Sequence, residues 1–415
     1  MKTAAKIRES NREYCISCGA LLGAPCFSAD NFPASAQDMP GKAELAEEKG
    51  ITLSLCRCPE CGLFQLTAEP VEYYRDVYRA VGISETMKAL RRNDYDLLTG
   101  KYGMAGKKIF EAGCGNGDFL QVLSEYPVQI FGSEANPDFC RQAQEKLPSA
   151  QISPVFPEGE TDLPGAPFDC FLSFNFLEHQ PAPAEMLRCL HRNLTEGGIG
   201  LITVPSLEYI LKEAKYYELI RDHMAYYSMD SLCRLCEISG FTVLEKDFIS
   251  IGDTLRVIVR KAAKELPAAE EEQKLPEMTA GIQNSGAAGG FTASEDPGEI
   301  LMQSYRNIRN HTENFIEELR REGRTLSLWG AGHQGFTLAS TTRVGEYASY
   351  ILDSSPMKQG KYAPASHLPI AAPEAYAENP TDVILIAAPA YVKEIEAQIR
   401  RRYGDQPEIR SILEF

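Results

Sequence analysis

Residues 109–120 read IFEAGCGNGDFL and place Glu111, Gly113, Gly115 and Gly117 at alternate positions. An apolar start, Ile109 and Phe110, gives way to glycine, and an amphipathic pattern resumes at Phe119, Leu120 and Val122. A strand that stops at a glycine-rich turn and restarts as a helix lets the backbone approach a ligand closely. The dinucleotide fingerprint would space its glycines G-x-G-x-x-G, whereas here the spacing is E-x-G-x-G-x-G. A second glycine run, Gly330-Ala331-Gly332-His333-Gln334-Gly335, does match G-x-G-x-x-G and has Asp353 at the next strand end. Read alone it suggests NAD, though a lone match of this kind is weak.

After the first strand of an α/β domain, the alternating pattern points to S-adenosylmethionine, with Gly113, Gly115 and Gly117 lying against its methionine part and Glu111 a further cofactor-binding candidate. The next strand should end in an acid that bonds the ribose hydroxyls, and FGSEANP supplies Glu134. Asn175, in SFNFLEHQ, is a further cofactor-binding candidate. His179 lies just past the same strand, at the edge where open α/β sheets bind ligands. A lone histidine there is either a satisfied structural residue or a catalytic one, and the position favours the second.

Cys15-Ile-Ser-Cys18 and Cys58-Pro-Glu-Cys61 are two C-x-x-C pairs, each followed by glycine. Together they supply four thiolates for one tetrahedral zinc ion, a closed site with a structural role. Cys26 and Cys56 are spare thiols. Cys233 and Cys236, in DSLCRLCEISG, fit plain core packing on a helix.

These residues need elements to position them. From residue 107 onward, strands (KKIFEAG, VQIFGSE, FDCFLSFN, GIGLITVP) alternate with amphipathic segments, the signature of a parallel sheet covered on both faces. Residues 70–104 look mainly helical. A stretch rich in Ala, Glu, Gly and Pro after Lys261 reads as a flexible linker. A helix is expected from Ile300 to Glu322, followed by a second alternating block of roughly 90 residues. The expected organisation is a zinc-binding domain over 1–68, a cofactor-binding domain over 69–262, a linker over 263–299 and a C-terminal α/β domain over 300–415. The fold class is α/β throughout, with a class I Rossmann-like core and a Rossmann-like C-terminal domain.

The 415-residue chain carries 58 acidic and 42 basic residues, a formal charge of -16, which argues against a nucleic-acid partner. No apolar run is long enough for a bilayer span, and the N-terminus lacks the apolar core of a secretory signal. Twelve cysteines without such a signal read as reduced thiols or metal ligands in the cytoplasm.

Three regions carry a resemblance to a known family: the cysteine knuckle running through CPECGLFQL to YRDVYRAVGIS, the core with FEAGCGNG and FLEH, and the block LWGAGHQG followed by ILDSSPMKQGKYAPASHLPI. Together they make the chain resemble the three-domain sugar C-methyltransferases, which act on nucleotide-linked deoxy-keto-sugars. The resemblance implies an N-terminal zinc domain, a middle domain that binds S-adenosylmethionine, and an active site between the middle and C-terminal domains. The family usually carries Tyr-His-Glu-His after the fifth strand, followed by an aromatic-Ser pattern. This chain reads Ile220-Arg221-Asp222-His223 and then MAYYS, so the acid and the second histidine are matched and the tyrosine is not.

On that footing His223 is the expected general base that removes a proton from the carbon next to a ketone. Asp222 would orient it across a turn, and His179 would polarise the ketone or hold the developing enolate. Tyr78 resembles an aromatic of the family's pocket, a role open also to Tyr73 and Tyr74. Lys358 and Lys361 are candidates for a substrate phosphate or are plain surface lysines. Two other functions stay open: N- or O-methylation of a non-sugar small molecule, and a non-catalytic zinc-bearing scaffold.

Overall fold

A computed structural model of the chain describes residues 12–75, 83–262 and 296–415. At the N-terminus β1 (Phe27–Phe32), β2 (Ile51–Arg57) and β3 (Phe64–Leu66) form an antiparallel sheet. The stretch expected to be mainly helical over 70–104 contains one helix among the described residues, α1 (Glu85–Gly100), capped by the Ser84 side chain on the Met87 amide.

The central unit runs β4 (Lys108–Ala112), α2 (Asp118–Leu123), β5 (Gln129–Ser133), α3 (Pro137–Lys146), β6 (Gln151–Ser153), β7 (Phe168–Phe174), α4 (Pro183–Arg192), β8 (Leu194–Pro205), α5 (Leu207–Lys212), β9 (Ala225–Tyr226), α6 (Met229–Ile238), β10 (Phe241–Ile249) and β11 (Thr254–Lys261). Its sheet has the order β10-β11-β8-β7-β4-β5-β6. Only β11 runs against its neighbours. This is the sheet of class I Rossmann-like methyltransferases. The chain winds outward from β4 through β5 to β6, then starts again at β7 on the other side. The crevice at the carboxyl ends of β4 and β7 is therefore the topological switch point, where such sheets bind ligands.

The C-terminal unit starts with α7 (Pro297–Glu322), continues through β12 (Leu326–Trp329), α8 (His333–Thr341), α9 (Val344–Tyr347), β13 (Ile351–Leu352), β14 (Ile370–Ala371), β15 (Val383–Ile386) and α10 (Val392–Tyr403), and ends in β16 (Glu408–Ser411). Its five strands are all parallel, in the order β14-β13-β12-β15-β16. Asp296 caps α7 and Pro297 occupies its first turn, so positions 297–299 are helix rather than linker. The rest of the expected linker, 263–295, lies outside the described residues.

The N-terminal unit is not closed on itself. Its fourth strand is β9, from far along the chain, paired with β3 through Phe64 and Tyr226. Phe27, Phe32 and Leu53 share one apolar core with Leu301, Ile308 and Leu338 of the C-terminal unit. Cys15 and Leu63 pack instead with Leu187 and Tyr227 of the central unit. The small sheet thus wedges between the two larger units. Cys236 is buried on α6, and Cys233 packs beside it, as expected of core thiols. No helix among the described residues is long and apolar enough to cross a membrane.

Candidate active site

The glycine loop after β4 is built so that only glycine fits. Gly113 has φ +68°, and a Cβ there would stand 2.8 Å from the Phe176 ring. Gly117 has φ +83°, and its Cβ would lie 3.0 Å from that of Ala143 on α3. Around Gly115, at φ +55°, an added Cβ would meet no atom within 4 Å. Glu134, at the tip of β5, accepts from the Gly115 and Asn136 amides at 2.8 Å each. A carboxylate offers roughly four acceptor positions, two of which these bonds take. Glu111 is buried near the carboxyl end of β4. Asn175 directly follows β7 with φ +48°, held by its amide to Thr203 O (2.9 Å) and by the Thr203 hydroxyl to its Oδ1 (3.2 Å). The left-handed conformation is one that asparagine tolerates.

A turn of 3-10 helix, Leu177–His179, follows at the same sheet edge. It brings His179 against His223, ring centroids 4.7 Å apart at 73°. The 220–223 turn that carries His223 is pinned by Tyr226, whose hydroxyl accepts from the Ile220 amide at 2.7 Å and donates to the Ile220 carbonyl at 3.2 Å. The Tyr226 ring also packs edge-on to His223 at 5.7 Å. Burial lowers the pKa of both histidines. For His179 the neighbouring Asp222 opposes that shift, while for His223 the nearby His179 and His333 add to it.

Two expected roles are corrected here. The Asp222 carboxylate does not orient His223: it accepts from the Tyr73 hydroxyl (2.5 Å) and the Ala36 amide (2.9 Å). Adjacent side chains on this turn diverge, and the Asp222 group that serves the pair is its carbonyl, 2.9 Å from His179 Nδ1. A carbonyl can only accept, so Nδ1 carries the hydrogen and Nε2 of neutral His179 bears the lone pair. In that form His179 is an acceptor and offers no N–H from Nε2 to polarise a ketone. Tyr73 is committed to Asp222 and Ser35, and Tyr74 packs edge-on to Phe156. Tyr78 lies outside the described residues.

The C-terminal loop reaches the same place. His333 Nε2 lies 3.1 Å from Glu218 Oε2, and Gln334 donates to Glu218 Oε1 at 3.0 Å. Burial alone would raise the Glu218 pKa, but these partners and Lys215 outweigh it and hold the carboxyl low. Asp353 accepts from the Ala331 amide at 2.8 Å. Lys358, a candidate phosphate ligand, instead donates to Ala331 O (2.8 Å) and lies 3.5 Å from Asp353 Oδ2. It locks the loop and is no longer a free point charge.

The four thiols of the N-terminal knuckles converge as expected. Cys15 and Cys61 sulfurs are 3.6 Å apart, those of Cys18 and Cys58 3.5 Å. Four thiolates at ~2.3 Å from one zinc ion would sit ~3.8 Å apart, so donor set and spacing both suit a tetrahedral metal. Each knuckle closes the same way, with Gly19 and Gly62 at φ +76° and +73° donating to the first cysteine's carbonyl.

Sequence reasoning passed over three residues at this site. Glu178 is fully buried beside His179, and burial lifts its carboxyl to about 8. Its signal was present in NFLEH, an acid inside an apolar strand end. Glu218 and Tyr226 matter through contacts made across the fold, for which the linear pattern carried no sign.

Comparison with known proteins shows what the chain is similar to. Residues 87–246 match the Methyltransferase domain family and residues 252–407 the C-methyltransferase C-terminal domain family. The C-methyltransferase NovU of Streptomyces niveus is 24% identical over 400 residues, covering 92% of this chain and 91% of its own. The ubiquinone biosynthesis O-methyltransferase of Pseudomonas aeruginosa is 29% identical over 100 residues, 23% of this chain and 43% of its own. Magnesium protoporphyrin IX methyltransferase from Synechocystis PCC 6803, solved with bound S-adenosylmethionine, aligns with a TM-score of 0.36 at 12% identity, covering 46% of this chain and 94% of its own. The chain is an S-adenosylmethionine-dependent methyltransferase that carries a methyltransferase domain followed by a C-methyltransferase C-terminal domain, an organisation consistent with the C-methyltransferases.

Proposed function

We infer that the enzyme methylates a carbon next to a carbonyl, in a nucleotide-linked keto-deoxysugar, with His223 as the proton acceptor. The observation that supports this best is the His179–His223 pair at the switch point, next to the glycine loop. Such a pair can take up the proton that leaves the methylated atom, and the full-length likeness to a C-methyltransferase favours carbon as that atom.

Gly113, Gly115, Gly117 and Glu134 would hold S-adenosylmethionine, which would supply the electrophilic methyl group when bound. Glu111 and Asn175 flank that cradle. The protein's own part is positioning and proton removal. His223, neutral through burial, takes the proton from the substrate carbon. His179, its Nδ1–H fixed on the Asp222 carbonyl, is the second acceptor beside it. Tyr226 and the Tyr73–Asp222 bond hold the turn that sets both rings. Zinc at Cys15, Cys18, Cys58 and Cys61 would be structural, fixing the edge of the small sheet against the central unit.

A buried Ile220 stands where the family has a tyrosine, and it favours a second reading, N- or O-methylation of another small molecule. A thermal-shift series with S-adenosylhomocysteine, adding dTDP, UDP, GDP and CDP in turn, separates the two. Ligands that bind the folded state raise the melting temperature. A further rise with one nucleotide supports the sugar-nucleotide substrate and names its base; a rise with S-adenosylhomocysteine alone moves the reading to the second.

A further inference from the structure

Apart from the thiol cluster, one other group among the described residues has the make-up of a metal site. Glu178, His179 and His223 each bring a ligand atom to within 4.8 Å of the others. Two independent features prepare this cluster. The first is the tautomer of His179, whose Nδ1–H is spent on the Asp222 carbonyl, so that Nε2 presents a lone pair. Metal-binding imidazoles are characteristically held this way, with the other ring nitrogen donating to a carbonyl or carboxylate. The second is Glu178, which is 2% exposed and whose Oε2 makes no hydrogen bond. Its Oε1 lies 4.0 Å from His179 Nε2, so the unbonded carboxylate belongs to the same cluster.

We propose that Glu178, His179 and His223 form a binding site for a divalent first-row transition-metal ion, and that its occupation inhibits methyl transfer by taking up the imidazole lone pairs. Two imidazoles and one carboxylate suit zinc, cobalt or iron(II), whereas magnesium and calcium favour all-oxygen shells. Bonds of about 2.0–2.2 Å require the three atoms to draw closer by roughly an ångström, within the reach of side-chain rotation. The site is distinct in chemistry from the four thiolates: it has no sulfur, and its ligands come from the turn after β7 and the turn before β9. Metal binding here does not depend on His223 acting as the base, because it is read without turnover; the inhibition rests on the proposed function.

The test is a titration of the purified full-length enzyme, its metal content first measured, with cobalt(II) chloride. The expected result is one equivalent of cobalt with visible d–d absorption and without the thiolate charge-transfer absorption that a four-thiolate site gives. Both His223→Ala and the isosteric Glu178→Gln should weaken that binding by at least about tenfold, a loss seen even for outer-shell partners. Each variant is first checked for a wild-type thermal shift with S-adenosylhomocysteine. A cobalt spectrum that is thiolate only, or thiolate-free binding that neither substitution weakens, overturns the proposal.

Discussion

The loop after β4 and the loop after β12 share a plan. In each, a buried strand ends in glycine with positive φ, a helix follows, and an acid at the tip of the next strand accepts a loop amide at 2.8 Å. They part in what surrounds the acid. Glu134 accepts from the Gly115 and Asn136 amides, and Asp353 has Lys358 beside it, a lysine that also spans to the Ala331 carbonyl. The middle glycines are alike, Gly115 and Gly332 both facing open space, and the difference is at the third: a Cβ on Gly117 would stand 3.0 Å from Ala143 on the neighbouring helix α3, one on Gly335 2.4 Å from the Gly330 carbonyl oxygen of its own loop. The second loop brings α8 hard against its own strand, and His333 and Gln334 at the start of that helix meet Glu218. On the proposed function, the same local motif serves cofactor binding in one unit and docking between units in the other.

The contrast breaks most sharply at the glycines. Gly113→Ala adds a Cβ in the left-handed region and into the Phe176 ring. It should abolish the melting-temperature rise produced by S-adenosylhomocysteine and cost about 1–3 kcal/mol of stability. Gly335→Ala should lower stability by a similar amount and leave cofactor affinity unchanged, read by calorimetric titration. Equal loss of affinity in both would erase the distinction.

At the acids the expected effects are smaller. Glu134→Gln weakens the loop amide bond and the proposed ribose contact, for about 1–3 kcal/mol of cofactor affinity, roughly 5- to 150-fold in Kd. Asp353→Asn leaves Lys358 without its counter-charge and should cost stability alone, seen as a lower denaturation midpoint at unchanged Kd for S-adenosylhomocysteine.

The smallest effect tests the docking contact through pH. The folded Glu218 carboxyl is held below its usual range, so its stabilising contribution is present above the unfolded pKa, near 4.3, and is lost as pH falls through the folded value. The stability difference between wild type and Glu218→Gln should therefore be largest near pH 6 and shrink as pH falls towards 4. A difference independent of pH would show that the Glu218 charge does not support the contact.

Much of this was legible in the sequence because it rests on local rules. Glycine spacing, strand alternation and the paired C-x-x-C knuckles each depend on residues a few positions apart, and the sheets and the thiol cluster follow them. The site's finer arrangement was not, because it depends on contacts across the fold. Asp222 and His223 are neighbours in sequence, yet the carboxylate turns to Tyr73, 149 positions away. Lys358 reads as an exposed loop lysine until the fold sets it on Asp353. The sharing of one apolar core by β1 and α7 likewise has no local sign.

The most direct measurement follows solvent deuterium into the substrate. A keto-sugar nucleotide bound by the enzyme, with S-adenosylhomocysteine in place of the methyl donor, is incubated in deuterium oxide and analysed by NMR. Deuterium should appear at the carbon next to the carbonyl with wild type, and the rate should fall by ~10²–10⁴ in His223→Ala. Exchange at an undiminished rate in His223→Ala, or none with wild type that still methylates the substrate, would contradict proton abstraction by His223.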